Sequence, residues 1–280
     1  MLFIKLIAVY TLLGAIFVGL SSQDSYAQLS ELLDTTGTKV FSSGWGTIGQ
    51  AGLLLFAGLS GGLSQQLTDV QQIYSALILL LTWLTTVWLL RSILAGKRPT
   101  IRDGLYNAGS PIVSTGIVLL ALIVQLLPGI LALIVASSAA STSLYESGFM
   151  AMIVTILAGL FVVLSAYWSV ATFIALIVVT LPGMYPLRAL RTAGDIAIGR
   201  RVRLLLRLLW MIVLSALVWF AIVLIMIILV RGLSIPLPWI NSIPIIPIVM
   251  SIMSSVVVVW SASYIYVLYR KVVEDDAQPA

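Results

Sequence analysis

The chain contains no cysteine and no histidine. Their absence removes disulfide frameworks, thiolate chemistry, Cys/His zinc sites, haem ligation through histidine and every histidine-based proton transfer. Charge is scarce as well: Asp, Glu, Lys and Arg make up 9% of the 280 residues, against about 25% in a soluble domain. The acids are scattered, and only Glu274-Asp275-Asp276 near the end places several together, so neither a metal nor a cofactor is expected. A net charge of +5 is not a nucleic-acid signal here, because no stacking aromatics interleave with the arginines.

Apolar residues fill the space that charge leaves. They make up 61% of the chain, and the mean hydropathy is +1.14. They fall in long runs: Leu2–Leu20, Ile73–Leu94, Pro111–Ala136, Gly148–Pro186, Leu208–Val230 and Pro244–Leu268. A helix crosses the hydrocarbon core with roughly 20 predominantly apolar residues. The fold expected is therefore all-α: a polytopic transmembrane helical bundle of about six spans. The whole chain reads as a single integral membrane domain, with an external segment at 28–72, the bundle at 73–270 and a tail at 271–280.

Lys and Arg orient these spans, since basic loops stay on the cytoplasmic side. Lys97, Arg98 and Arg102 follow the second run, with Arg91 near its end. Arg188, Arg191, Arg200, Arg201, Arg203 and Arg207 follow the fourth, and Arg270 and Lys271 follow the last. With Lys5 inside, only Lys39 and Arg231 remain outside. The acids divide evenly between the two sides, so the asymmetry is carried by Lys and Arg alone. Both termini are placed in the cytoplasm, and the membrane is read as a bacterial plasma membrane.

The charge rule also decides two ambiguous stretches. Ile48–Leu63 is apolar but short and rich in glycine. If it crossed, Lys97, Arg98 and Arg102 would fall outside, so it is expected to be a non-spanning, glycine-rich outer segment. The uncharged stretch Gly148–Pro186 would be roughly 55–60 Å long as one helix. It is expected to cross once, with its continuation through Ile174–Thr180 buried against other helices and broken at Pro182-Gly183 and Pro186. At the N-terminus, Lys5, an apolar core and Ser25-Tyr26-Ala27 also follow the pattern of a secretory signal. Cleavage after Ala27 would leave five spans and an external terminus; an uncleaved anchor keeps six.

Two basic-side segments carry the candidate sites. In Gly96–Pro111, turn residues form a connector in which Arg102, Asp103 and Asn107 could meet a headgroup phosphate, or Asp103 could pair locally with Arg102. In the second segment, Arg188, Arg191 and Asp195 are spaced to share one helical face, and Arg200, Arg203 and Arg207 form a second row. With Arg201, these arginines describe a basic amphipathic helix on the inner leaflet before the chain enters the bilayer. Arg191–Asp195 is the second expected ion pair. Within the spans, polar residues such as Gln125, Thr82, Thr85, Thr86, Ser165, Ser169 and Thr172 are expected to hydrogen-bond to backbone or to a neighbouring helix. Pro128-Gly129 should kink its helix.

The sequence Arg188-Ala-Leu-Arg-Thr-Ala-Gly-Asp-Ile-Ala-Ile-Gly-Arg-Arg201, after a proline-ended apolar helix and before another span, carries a family likeness. Over about Ala171–Phe220 the chain resembles the membrane domain fused to some bacterial glycerophosphoryl diester phosphodiesterases. Ala189-Leu190 and Gly199 match that pattern, while Leu187-Arg188 stand where the family usually has an acidic residue. The resemblance implies a fold. It does not imply the phosphodiesterase, whose separate soluble domain needs paired acids and histidine that this chain lacks.

Three functions are compatible with these residues. The first is a non-enzymatic scaffold or accessory subunit, binding anionic lipid at the inner leaflet and other membrane proteins. The second is a permease-like subunit for an uncharged or lipid-like solute, since no ionisable residue lies in the middle of a confident span. The third is a lipid-metabolising enzyme using Asp103 or Asp195, although such sites normally gather several acids. The topology is directly testable, because the chain has no native cysteine to mask. Cysteines at Pro99 and Gly194 should resist an impermeant maleimide on intact cells, whereas those at Thr142 and Ser242 should label. Labelling at Gly194→Cys would overturn the single crossing of Gly148–Pro186.

Overall fold

The computed structural model describes residues 2–19, 68–140, 148–234, 236, 239 and 244–277. Among them are eight helices and no strand: α1 (Leu2–Phe17), α2 (Asp69–Leu94), α3 (Ile101–Ala108), α4 (Ile112–Ala140), α5 (Gly148–Val178), α6 (Pro186–Ala197), α7 (Arg201–Ser234) and α8 (Ile245–Ala277). Five of these, α2, α4, α5, α7 and α8, are long and apolar enough to cross a membrane. The protein is thus an integral, multi-pass membrane protein with an all-α fold. Helices suit that setting because each satisfies its own backbone hydrogen bonds where no water is present. α1 has 16 residues, roughly 24 Å at the α-helical rise. The glycine-rich stretch Ile48–Leu63 and the Ser25-Tyr26-Ala27 site lie outside the described residues.

The chain forms two compact units, residues 1–83 with 213–260 and residues 84–212 with 261–280. In the first, α1 buries Leu6 and Tyr10, one turn apart. The Thr11 hydroxyl donates to Ser255 Oγ at 3.2 Å, and Phe17 lies 5.4 Å from the Tyr74 ring. Thr68 and Gln71 form a reciprocal cap at the start of α2, and Gln71 Nε2 also reaches the Val18 carbonyl at 3.2 Å. Trp219, Val223 and Ile227, spaced by four on α7, form a core with Ile246, Met250 and Met253 of α8. The Thr82 hydroxyl donates to the Ile78 carbonyl at 2.7 Å, one of the local bonds expected for hydroxyls inside a span.

The second unit is organised by the pairing of α4 with α5. α4 continues through Pro128, which has no N–H to give. The next residue, Gly129, donates its backbone N–H to Ser165 Oγ at 2.9 Å. Further along the same seam, one turn before Gly129 on α4 and two turns after Ser165 on α5, the Thr172 hydroxyl donates to Gln125 Oε1 at 2.6 Å. A Cβ on Gly129 would lie 3.1 Å from both Cβ and Oγ of Ser165, so glycine is what permits this approach. Thr85, Thr86 and Ser169 are buried as well, and Ser169 donates to the Ala166 carbonyl. The buried Thr115 hydroxyl has no hydrogen-bond partner among the described residues.

α5 is one unbroken helix of 31 residues, roughly 45 Å long, and long and apolar enough to cross a membrane. Its first half exposes Phe149, Met152, Ile156 and Leu160, whereas Ile174, Ala175, Ile177 and Val178 near its end are fully buried. The break falls at Leu181–Met184, where Gly183 takes a φ of +75° that favours glycine. Pro186 then starts α6 at a position that needs no N–H. α6 rests on α5 and α4 through Ala189, Ala193 and Ala197, all at 0% exposure.

Two boundaries differ from the sequence reading. The basic segment is not one helix, because Gly199, also at φ +75°, separates α6 from α7. Arg201, Arg203 and Arg207 therefore begin the membrane-spanning α7, and the amphipathic helix is α6 alone. In addition, α8 continues through the expected tail to Ala277, where Arg270 and Glu274 pair across one turn.

The Gly129 contact yields a stability prediction. Gly129→Leu should force α4 and α5 apart and destabilise the protein by about 1–3 kcal/mol, the usual range for overpacking. Gly159→Leu is the control, since nothing lies within 4 Å of a Cβ built there. Unfolding in mixed micelles compares them, and equal midpoints would refute close packing at Gly129.

Candidate functional site

The arginine-rich segments of the second unit each have a local structural reason. α2 ends at Leu94, and Gly96, at a φ of +75°, closes a Schellman motif beyond it: Lys97 N–H bonds to Ser92 O and Gly96 N–H to Ile93 O. This turn leaves Lys97 and Arg98 exposed. α3 begins with a capping box in which the Thr100 hydroxyl and backbone N–H both donate to Asp103 Oδ2, at 2.7 and 3.0 Å. The Asp103 N–H donates back to Thr100 Oγ1. α3 also lies close against α2, since a Cβ on Gly104 would be 3.0 Å from Thr85 Cγ2.

Asp103 is therefore committed to the start of its helix. Neither expected ion pair is present: no salt bridge joins Arg102 to Asp103 or Arg191 to Asp195. Asp103 meets Thr100 instead because capping satisfies helix-terminal N–H groups that would otherwise lack partners. Exposed pairs at helical spacing gain too little to fix two long side chains, and Arg191 and Asp195 both stay in the open.

Of the six arginines read as a lipid-binding set, Arg188, Arg191 and Arg203 are exposed, while Arg200, Arg201 and Arg207 are half-buried. The Arg201 guanidinium carbon lies 5.5 Å from the centre of the Tyr167 ring, a cation–π contact that ties the start of α7 to α5. The Arg207 carbonyl accepts a bond from the Tyr264 hydroxyl at 3.3 Å. The structure thus places Arg188 and Arg191 on the outward face of α6, opposite its alanine stripe, and sets the other four at the turn and entry into α7.

Arg91 is the residue that sequence reasoning missed, having been counted only as a topology charge. It lies in the last turn of α2. Its Nη1 donates to the Thr180 carbonyl at 2.9 Å and its Nη2 to Thr180 Oγ1 at 2.6 Å. The Thr180 hydroxyl in turn donates a hydrogen bond to the Ile177 carbonyl. Arg91 thus caps the carbonyl end of α5, where a cation is favoured. It also lines a cleft of about 320 Å³ with Trp88, Asn107, Ser110, Ser114 and the Leu181–Met184 turn. The sequence held a partial signal, since Asn107, Ser110, Pro111 and Ser114 recur at helical spacing. What it lacked was the turn that carries Thr180 to Arg91. A separate cavity in the first unit, of about 170 Å³ between Leu214, Val218, Met253 and Trp260, is almost wholly apolar.

Among the described residues, no group of three or more acids capable of holding a metal occurs. Asp103 is held below the ordinary carboxylate range of 3.8, first by the Thr100 hydroxyl, then by the Thr100 N–H, with a smaller push from Arg102. Because its folded value is depressed, its support for α3 is complete above the ordinary value and is lost as pH falls through the folded one. Thr100→Ala should raise the Asp103 carboxyl titration toward 3.8, and Arg102→Gln should move it less. Carboxyl NMR in micelles measures both, and a larger shift in the arginine variant would restore the ion-pair reading.

No protein-family model, no curated protein and no solved structure gives a significant match to this chain.

Proposed function

We propose that this integral membrane protein is a non-catalytic scaffold or accessory subunit whose basic side docks on anionic lipid at the inner leaflet of a bacterial plasma membrane. The observation that carries the reading is the division of α6. One face, Ala189, Ala193 and Ala197, is spent entirely on packing, and Arg188 and Arg191 stand exposed on the other side. A short helix with small residues inward and arginines outward, lying directly before a membrane span, suits a headgroup layer.

Each Lys or Arg near an anionic surface contributes about 1 kcal/mol, so Arg188, Arg191 and Arg203 together give useful selectivity. Arg201, held over Tyr167, fixes where the basic segment enters the membrane. In this reading both ends of the chain face the cytoplasm. The likeness to the membrane domain of glycerophosphoryl diester phosphodiesterases fits it as a relation of fold alone.

The test replaces Arg188, Arg191 and Arg203 together with Gln. Native mass spectrometry of protein drawn from mixed phosphatidylglycerol and phosphatidylcholine should then show lower enrichment of the anionic lipid. The wild-type preference should weaken as salt rises, because exposed charges are screened. Unchanged selectivity in the triple variant would reduce the segment to a topology signal.

A further inference from the structure

We propose that the cleft beside Arg91 binds one phosphate-bearing group, with Arg91 as its anion-holding residue and Asn107, Ser110 and Ser114 as its orienting partners. This site is distinct from the docking surface, since none of the six arginines on α6 and the start of α7 lines it.

The first support is an uncompensated charge. Arg91 is half-buried, and a cation removed from water needs hydrogen bonds or an opposite charge. Among the described residues no carboxylate pairs with it. Its partners there are two neutral oxygens of Thr180, and a guanidinium has five N–H donors. The Thr180 contacts hold the group in place and leave donors for a ligand.

The second support is the composition of the walls. The cleft contains no acidic side chain, so nothing in its lining repels an anion. Ser110 and Ser114 are four residues apart where α4 begins, and neither hydroxyl makes a hydrogen bond to the described residues. Asn107 gives one amide proton to the Asp103 carbonyl, which leaves its second proton and its oxygen. The positive end of the α4 dipole adds a favourable potential. A fork-shaped cation with hydroxyl and amide donors matches the several oxygens of a phosphate better than a single-point acceptor.

Size and position then narrow the ligand. About 320 Å³ is at the small end of ligand pockets, enough for a phosphate with a short polar substituent. Arg91 sits in the last turn of a membrane span, the depth at which lipid phosphates lie. The phosphate could therefore belong to a lipid headgroup or to a free, water-soluble phosphate.

The test uses the full chain in detergent micelles. Phosphatidylglycerol is titrated by native mass spectrometry, and inorganic phosphate is added alone and as a competitor. One saturable ligand per chain is expected. Arg91→Gln should weaken it on the order of 10- to 100-fold, as for loss of a charged hydrogen-bonding partner. Arg91→Gln also removes the cap on α5, so Ser114→Leu serves as the second variant, filling the cleft while sparing the Arg91–Thr180 bonds. It should weaken binding with the helical circular dichroism unchanged. Lipid binding that phosphate does not displace identifies a headgroup site, and binding of inorganic phosphate itself identifies a site for free phosphate; either supports the proposal. No saturable binding of either probe, or wild-type affinity in both folded variants, would overturn it. Loss of bulk lipid selectivity in the Arg188/Arg191/Arg203 variant, with cleft binding intact, tells the two sites apart.

Discussion

The close approach of α4 and α5 at Gly129 and Ser165 supports much of the second unit. In a bilayer, lipid tails are as apolar as leucine, so helices associate through tight packing and hydrogen bonds rather than through escape from water. Gly129 permits the approach, and its N–H bond to Ser165 and the Gln125–Thr172 bond set the register. Interhelical bonds of this kind contribute on average about 0.6 kcal/mol each, so van der Waals contact along the seam carries most of the association. With α5 placed, its buried end delivers Thr180 to Arg91 and gives α6 the surface on which its alanines rest.

The apolar composition is therefore not uniform in what it does. The first half of α5 presents Phe149, Met152, Ile156 and Leu160 outward, and α4 does the same with Val113, Leu120, Val124 and Leu131. Such residues suit a hydrocarbon solvent and need no partner. The last turns of α5 are as apolar but fully buried, because there the helix serves as the floor for α6. Hydropathy does not separate these uses, since both transfer apolar surface away from water.

The basic residues likewise divide by role. Arg188 and Arg191 face outward because the opposite face of α6 is committed to packing. Arg201 is held by an aromatic ring, and Arg91 is turned inward to a helix end and a cleft. Asp103, which follows Arg91 by twelve residues, is bound to the backbone and hydroxyl of Thr100. The cap fixes that carboxylate at the start of α3 and keeps it ionised. The excess of positive charge on which both proposed sites rest comes instead from composition, 15 Lys and Arg against 10 Asp and Glu.

The residue pattern alone determined the all-α membrane fold, the approximate ends of the long apolar helices and the break at Pro182-Gly183. Each follows from local physics: hydrocarbon thickness sets run length, and two prolines flanking Gly183 within five residues leave no room for a helix to continue. Tertiary structure decided the rest. Nothing local distinguishes a Gly199 that separates α6 from α7 from a glycine tolerated within a helix, so the basic segment read as one helix. Nor could the sequence show that Asp103 would meet Thr100 rather than Arg102, since both partners were in reach and only the geometry of the α3 terminus chose between them. Arg91 was beyond sequence reasoning for the same cause: its partner, Thr180, is 89 residues away. That distance closes only when α5 has packed on α4 and the turn after it has folded back.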